Sequence, residues 1–462
     1  MNISDLDGKK ITVMGLGLHG GGVGTVRFLH AAGAILTVTD MKSEAQLQPS
    51  LEKLKELQNI KYVLGRHEVE DFSQADMIVK TPPVPWTNEF IKIALEKNIP
   101  VEIDSSLFFK LCPNQIIGVT GTRGKTTTAS LIYEILKTAG KNPMKVGIGQ
   151  ISVLDKLNEL QADSIVVFEL SSWRLSALGC HKLSPKIAVV TNIYPDHLNY
   201  YASMKEYVAD KKNIFLNQSA DDICVLNWDN EMVREFEKEI PAKIIKISIT
   251  EKPDGMTVFL RDGQIVIRNE TDEKNILAIA EIKIKGEHNL ANILAAVAVA
   301  HGMGIEDANI AKAIVEFSGL PHRLEFVKEI DGVKYYNDTA ATSPEGAIAG
   351  INSFSEKIVL IAGGSDKNLD MTQLAKEIHE KVMAVVFLAG AATDKIISAM
   401  QMQDSKQDFI IANSMLDAVV EARKLASAGE VVLLSPGSAS FGLFLNEFDR
   451  GDKFKEAVEI VK

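Results

Sequence analysis

Cysteine is scarce in this chain. The 462 residues contain three, Cys112, Cys180 and Cys224, widely spaced and without a CxxC pair or a Cys/His cluster. That excludes a disulfide scaffold and a thiolate-ligated metal, and the three are expected to be reduced core thiols. Positive charge is also short: Lys+Arg number 50 against 61 Asp+Glu, a net charge of −11. A nucleic-acid backbone needs a concentrated positive surface, so that class of partner is excluded. An anionic small molecule is not, because a local site can oppose the global charge. No uncharged apolar stretch reaches about 18 residues, so no membrane-spanning helix is expected. The opening MNISDLDGKKITVMG has acids where a signal peptide has bases, which points to a cytoplasmic protein. Short-period repeats and low-complexity segments are absent.

What is present is an ordinary soluble core: 46% apolar and 24% charged residues, at a length that suggests about three domains. Apolar runs alternate with amphipathic stretches. ITVMG (11–15) and ILTVTD (35–40) read as strands, with helices over 21–32 and about 44–57. Further strands fall near 76–80 and 100–103. The rhythm restarts near Pro113 with QIIGVTG (115–121), SIVVFEL (164–170) and KIAVVTN (186–192). Residues 243–285 alternate apolar and polar side chains around a turn at 261–264, which predicts an antiparallel patch. HNLANILAAVAVAHGMG (288–304) is an apolar helix stopped by glycines. A third alternation follows GLPHRLE (319–325), with strands at 358–363, 384–390, 408–411 and 431–437. The fold class is therefore α/β with largely parallel sheets.

Two glycine loops carry the chemistry. Gly15-Leu16-Gly17-Leu18-His19-Gly20 fits G-x-G-x-x-G between a strand and a helix, and Asp40 ends the next strand. Such a loop holds a diphosphate on backbone N–H groups, and Asp40 is placed to accept hydrogen bonds from a ribose or base. NAD and a UDP-sugar fit it equally well, and a glycine turn of purely structural use is the alternative. The second loop, Gly118 to Thr128, is a variant P-loop with glycines at 118, 121 and 124. Its backbone forms an anion nest, Lys125 reaches the β- and γ-phosphates, and Thr126 offers a hydroxyl to Mg²⁺. A dehydrogenase has no use for a triphosphate, so the second loop weakens the NAD reading of the first. Glu169 ends a buried strand, where a P-loop fold carries its metal-binding carboxylate. Asp196 and His197 follow the next strand. Lys211 and Lys212 have no role by charge pattern alone.

The motifs GLGLHG, GVTGTRGKTTT, ELSSWRL, TNIYPDHLNYY, GEHNLANILAA, GLPHRLE, NDTAATSPEGA and LLSPGSASFGLFLNEFDRGDKF resemble, in this order, those of the Mur ligases, the ATP-dependent amino-acid-adding enzymes of peptidoglycan synthesis. The resemblance covers essentially the whole chain. Folylpolyglutamate synthases share the later motifs but lack the first. The resemblance implies three domains: a Rossmann-like UDP-binding domain (1–113), a P-loop ATPase-like domain with a small antiparallel patch (114–318), and a Rossmann-like amino-acid-binding domain (319–462). It implies ATP and Mg²⁺ as cofactors and UDP-N-acetylmuramoyl-L-alanine and D-glutamate as substrates of a cytoplasmic monomer.

Site residues carry over by position. Leu18 and His19 fall near the diphosphate, Asp40, Met41 and Lys42 near uracil, and Gln150 near the sugar-phosphate, at a position commonly asparagine. Gly121, Thr122, Gly124, Lys125, Thr126 and Thr127, with Asn289, Asn292, Arg323 and Asp338, fall around ATP. Lys125, Glu169, His197 and Lys211 are the catalytic set. Thr126, Glu169, His197 and Lys211 hold metal, Lys211 as the lysine that CO₂ carbamylates in this family. Thr342, Lys367, Ser440, Phe444 and Phe448 surround the incoming amino acid. The chain departs from the usual pattern at Ala340, commonly lysine, at Glu447, often phenylalanine, and at Pro82-Pro83, where glycine is common. The alternatives are the same mechanism with L-glutamate or lysine, an NAD-dependent oxidoreductase, and a P-loop switch without synthetic activity.

Overall fold

A computed structural model describes residues 1–18, 20–148, 152–197, 200–269, 272–403 and 408–461. They form two compact units, Met1–Ala280 with Ala291–Ile314, and Glu281–Leu290 with Val315–Lys462.

The first unit contains two sheets. Strands β1 (Lys10–Met14), β2 (Ile35–Asp40), β3 (Ile60–Leu64), β4 (Met77–Lys80) and β5 (Val101–Glu102) are parallel in the order 3-2-1-4-5. Central strands such as β1 and β4 are buried along nearly their whole length, as expected where helices cover both faces. The second sheet holds β6 (Gln115–Thr120), β7 (Asn142–Val146), β8 (Ser164–Glu169), β9 (Ile187–Val190), β10 (Ile223–Asn227), β11 (Lys243–Ser248), β12 (Thr257–Arg261), β13 (Gln264–Arg268) and β14 (Glu273–Ala278). Its order is 14-13-12-11-10-9-6-8-7.

The antiparallel patch expected over 243–285 is smaller than that range. β11 is parallel to β10, and β12 is parallel to β11. Among the described residues of that range only β12, β13 and β14 run antiparallel. The physical reason is the connection: helical turns Glu231–Arg234 and Glu235–Glu239 separate β10 from β11 and provide the crossover that parallel pairing needs. The turn between β12 and β13 falls where expected. Asp262 and Gly263 have φ of 49° and 73°, the geometry of a two-residue hairpin turn.

One apolar core runs through both sheets. Val23, Val26 and Phe28 of helix Gly21–Ala31 share it with Val166 and Phe168 of β8, bridged by Leu107 and Phe108 of helix Asp104–Leu111. The Phe108 and Phe168 rings meet edge-on at 5.3 Å.

The second unit holds β15 (Glu325–Ile330), β16 (Val333–Asn337), β17 (Ile358–Ala362), β18 (Val382–Leu388), β19 (Phe409–Ala412) and β20 (Val431–Leu434), in the order 15-16-20-17-18-19. All neighbours are parallel except β15 and β16. Helices Pro344–Ile351, Thr372–Lys381 and Ala391–Met402 cover one face, and Met415–Leu425 with Glu447–Ile460 the other. Met415–Leu425 shows why. Ser414 accepts the Asp417 N–H at its start, and Met415, Ala418, Val419 and Ala422 fall on one buried stripe.

Each sheet has one point where strand order reverses: between β1 and β4, around β6, and between β17 and β20. Open α/β sheets bind ligands outside the carboxyl ends of strands at such points. Both glycine loops and the loop holding Lys367 leave strands there. Among the described residues no helix is long and apolar enough to cross a membrane.

Candidate active site

The phosphate loop joins β6 to helix Lys125–Thr138. Gly124, at φ 81°, caps that helix, and a side chain on it would strike Asn292 Oδ1. Gly121 is equally constrained, because a Cβ there would lie 1.9 Å from Thr191 Oγ1. Neighbouring strand ends fix the loop from outside: Thr122 N–H donates to Asn192 O at 2.8 Å and Arg123 N–H to Asn192 Oδ1 at 2.8 Å. The Lys125 ammonium folds onto the loop and donates to Gly121 O at 3.1 Å and Thr122 O at 3.2 Å. Thr126 Oγ1 donates to Glu169 Oε2 at 2.8 Å. Thr127, beside them, is half-buried. Asn292 accepts from Thr128 Oγ1 at 3.2 Å, which places it against the loop.

Lys211 lies at the same place from a distant stretch of chain. Only 2% of it is exposed, and its ammonium donates to Gly121 O at 2.9 Å, the carbonyl that Lys125 also uses. It sits 4.9 Å from the centre of the Tyr207 ring, one helical turn earlier. Burial pulls its pKa well below the ordinary lysine value, and Lys125 pulls the same way against Asp196, Glu169 and Asp210. His197 has φ 55°, and its ring lies 4.9 Å from that of Trp173. Burial lowers its pKa, reinforced by Lys211, Lys125 and Arg123. Tyr207 hydroxyl meets Thr122 Oγ1 at 3.0 Å and so ties the Lys211 helix to the phosphate loop. Tyr207 and Asn192 are site residues that motif reading missed. A tyrosine four positions before Lys211, on the same helical face, was the available signal.

Asp40 has a use that the sequence reading did not assign. One carboxylate oxygen accepts the N–H groups of Leu16 and Gly17, each at 2.9 Å, and the other accepts Lys42 N–H at 2.9 Å. The side chain is buried and shapes the first glycine loop and the turn after β2 from within. Leu18, Met41 and Lys42 are exposed around it. His19 and Gln150 lie outside the described residues. Asp40→Ala should release three backbone donors at once, at a cost of about 2 kcal/mol or more. The expected result is a lower thermal midpoint. An unchanged midpoint would refute this use of the carboxylate.

Between the first two sheets, Arg174 donates to Asp104 Oδ2 at 3.0 Å and to Gly147 O at 3.2 Å. Lys80 is buried, donates to Val84 O at 2.7 Å and lies 4.4 Å from the centre of the Trp86 ring. Burial lowers its pKa to about 8.

In the second unit, Asp338 is buried and accepts from Ser435 Oγ at 2.8 Å and Leu324 N–H at 3.2 Å. Burial raises its pKa to about 7, against Arg323. Asn289 Nδ2 donates to Lys285 O at 2.6 Å. The loops after β17 and β20 are paired: Ser365 and Ala439 exchange N–H···O bonds at 3.0 and 3.2 Å. The loops that carry Lys367 and Ser440 are thereby joined. Beneath them lies Arg450, fully buried, with Nε on Thr339 Oγ1 at 2.9 Å, Nη2 on Thr339 O at 2.9 Å, and Nη1 on Ser438 O and Ala439 O at 3.2 Å each. It joins the segment leading to Thr342 to the Ser440 loop, a tie no local motif announces. Phe444 N–H bonds Ser440 O at 3.3 Å, and Phe448 is half exposed against the edge of His322. Glu447 starts the last helix, and its backbone carbonyl accepts Thr339 Oγ1 at 2.8 Å.

Residues 9–102 match the Mur ligase MurD-like N-terminal domain, 119–300 the Mur ligase middle domain, and 322–437 the Mur ligase glutamate ligase domain. The UDP-N-acetylmuramoylalanine--D-glutamate ligase of Roseiflexus sp. (strain RS-1) is 41% identical, covering 98% of this chain and 99% of its own. That of Acetivibrio thermocellus is 39% identical over 98% of this chain and 97% of its own. The fold is similar to that of the UDP-N-acetylmuramate-alanine ligase MurC from Thermotoga maritima, with TM-score 0.59, 20% identity and coverage of 98% and 100%. A pseudomurein peptide ligase type C from Methanothermus fervidus gives TM-score 0.59 at 19% identity with the same coverage.

Proposed function

The chain belongs to the Mur ligase family, and from that premise we propose the reaction and the residues that carry it. The protein is an ATP-dependent ligase that adds D-glutamate to UDP-N-acetylmuramoyl-L-alanine, a step of peptidoglycan precursor synthesis. We assign the reaction to the cytoplasm. The functional segments are 1–113 for the UDP substrate, 114–318 for ATP and 319–462 for the amino acid. The observation that carries the site assignment is the convergence of Lys125, the Thr126–Glu169 pair and buried Lys211 on one phosphate loop at a strand-order reversal.

A carboxylate and an ammonium do not condense at neutral pH, so the acyl carboxylate is first phosphorylated and the amine then displaces phosphate. The protein's share is to position groups and to oppose developing negative charge. Lys125 leaves its loop carbonyls for the transferring phosphate. Backbone N–H groups of 121–126 hold the remaining phosphate oxygens. Thr126 and Glu169 would hold Mg²⁺. Both are hard oxygen donors already in contact, and Mg²⁺ takes few protein ligands beside phosphate and water. When bound, the ion neutralises phosphate charge. His197, held toward its neutral form, and Lys211 as a carbamate would hold a second ion. Lys367, Ser440 and Thr342 hold the amino acid, and Arg450 fixes the loops that present them.

The test is phosphate release from ATP with UDP-N-acetylmuramoyl-L-alanine and one amino acid at a time. D-glutamate is expected to be turned over at least tenfold better than L-glutamate or lysine. Preference for either of the latter overturns the substrate assignment, and tight NAD binding without UDP-substrate binding overturns the reading of the first loop.

A further inference from the structure

Asp366 places a carboxylate directly beside Lys367, in a loop assigned to a substrate that itself carries two carboxylates. Left unpaired, that charge would oppose the ligand that Lys367 attracts. The structure pairs it. Lys395, in the first turns of helix Ala391–Met402, forms an ion pair with Asp366 and reaches Asn368 Oδ1 at 3.3 Å. The two residues flanking Lys367 are therefore held by one ammonium. Asp366 also accepts Asn368 N–H at 2.8 Å, and Asn368 adopts φ 59°, which turns the chain back immediately after Lys367. On its other side the loop is fixed by the Ser365–Ala439 bridge and by Ser365 Oγ on the Phe441 carbonyl.

We infer that Lys395 is a positioning and specificity-determining residue: it neutralises Asp366 and fixes the Asp366–Asn368 turn, so that the carboxylate beside Lys367 does not oppose the acidic amino acid. This rests on the assignment of Lys367 and Ser440 to the amino-acid site. A surface ion pair of this kind adds little to folding stability. Its effect is on the local field, where an exposed like charge opposes an anionic ligand and the effect is screened by salt.

The test is steady-state kinetics of the full-length enzyme with ATP, UDP-N-acetylmuramoyl-L-alanine and D-glutamate. Lys395→Ala should raise KM for D-glutamate by about three- to tenfold, more than it lowers kcat, with KM for ATP unmoved and the effect smaller at high salt. Lys395→Met, which keeps the aliphatic stem, should behave alike, so lost packing is not mistaken for lost charge. Adding Asp366→Asn to Lys395→Ala should recover at least half of the loss, since it removes the unopposed carboxylate. A merely structural brace would not be rescued this way, and absence of rescue overturns the inference. Lys367→Ala is run in parallel. If it raises KM for D-glutamate while Lys395→Ala does not, the role of Lys395 fails and the site assignment stands. If neither moves that KM, the site assignment itself fails.

Discussion

Lys125→Ala is expected to reduce ligation by about a hundred- to a thousandfold while leaving the affinity for the UDP substrate unchanged. Lys125 is the P-loop ammonium at the start of its helix, resting on the carbonyls of Gly121 and Thr122. Phosphoryl transfer asks the protein for little covalent chemistry, so losing a positioned charge removes transition-state stabilisation directly. One such group is worth about 10²–10³ in rate. Lys211 cannot substitute, because it is buried against Gly121 O and held toward its neutral form. Lys125→Arg should rescue little, since the wider guanidinium has no room in a turn so closed that a Cβ at Gly121 or Gly124 would strike a neighbour. The measurement is single-turnover phosphate release beside calorimetry of the UDP substrate. Turnover near wild type would remove the loop from the mechanism.

The parts of this site that were legible in sequence are those where one short stretch contains both the geometry and the chemistry. Gly-Lys-Thr after an apolar strand announces the phosphate loop by itself, and Glu169 at a strand end announces a carboxylate on the same sheet edge. Asp40 shows the limit. Its place at the end of β2 was readable, but its partners, the N–H groups of Leu16 and Gly17, depend on the loop's three-dimensional path. Arg174 with Asp104, and Arg450 with Thr339, join residues 70 and 111 positions apart. Nothing local distinguishes these arginines from surface ones. Among strands, β3, β7 and β15 escape the pattern for a common reason: each is a sheet edge, only partly buried, so its sequence lacks a continuous apolar run. β10 is a different case. It is interior and largely buried, as is β16, and neither was expected from the sequence.

The second large effect concerns Lys211. Lys211→Ala should lower activity by about a hundred- to a thousandfold, and millimolar acetate or formate should restore part of it. The motive is a contradiction in the site. A permanent ammonium at this position would share one carbonyl with Lys125 and face a region intended for metal and triphosphate. Two cations on Gly121 O repel, and an ammonium cannot ligate Mg²⁺. A neutral amine resolves the first difficulty, and burial with Lys125 nearby drives Lys211 that way. A neutral amine is also the form that attacks CO₂. Its nitrogen bonds the carbon, one C=O π bond becomes an oxyanion, and the nitrogen loses a proton, which leaves a carbamate with two hard oxygen atoms. The new anion is then set against the Lys125 ammonium, so the charge pattern that disfavours the lysine favours its product. Short carboxylic acids carry the same oxygen pair and fit the space left by the truncated side chain. Lys211→Glu is the covalent counterpart and should retain more activity than Lys211→Ala. Mass spectrometry of the native protein in bicarbonate should show an added CO₂ that the Ala variant lacks. Full activity in a protein with an unmodified Lys211 at high bicarbonate would overturn the assignment, and so would an Ala variant that no carboxylic acid rescues.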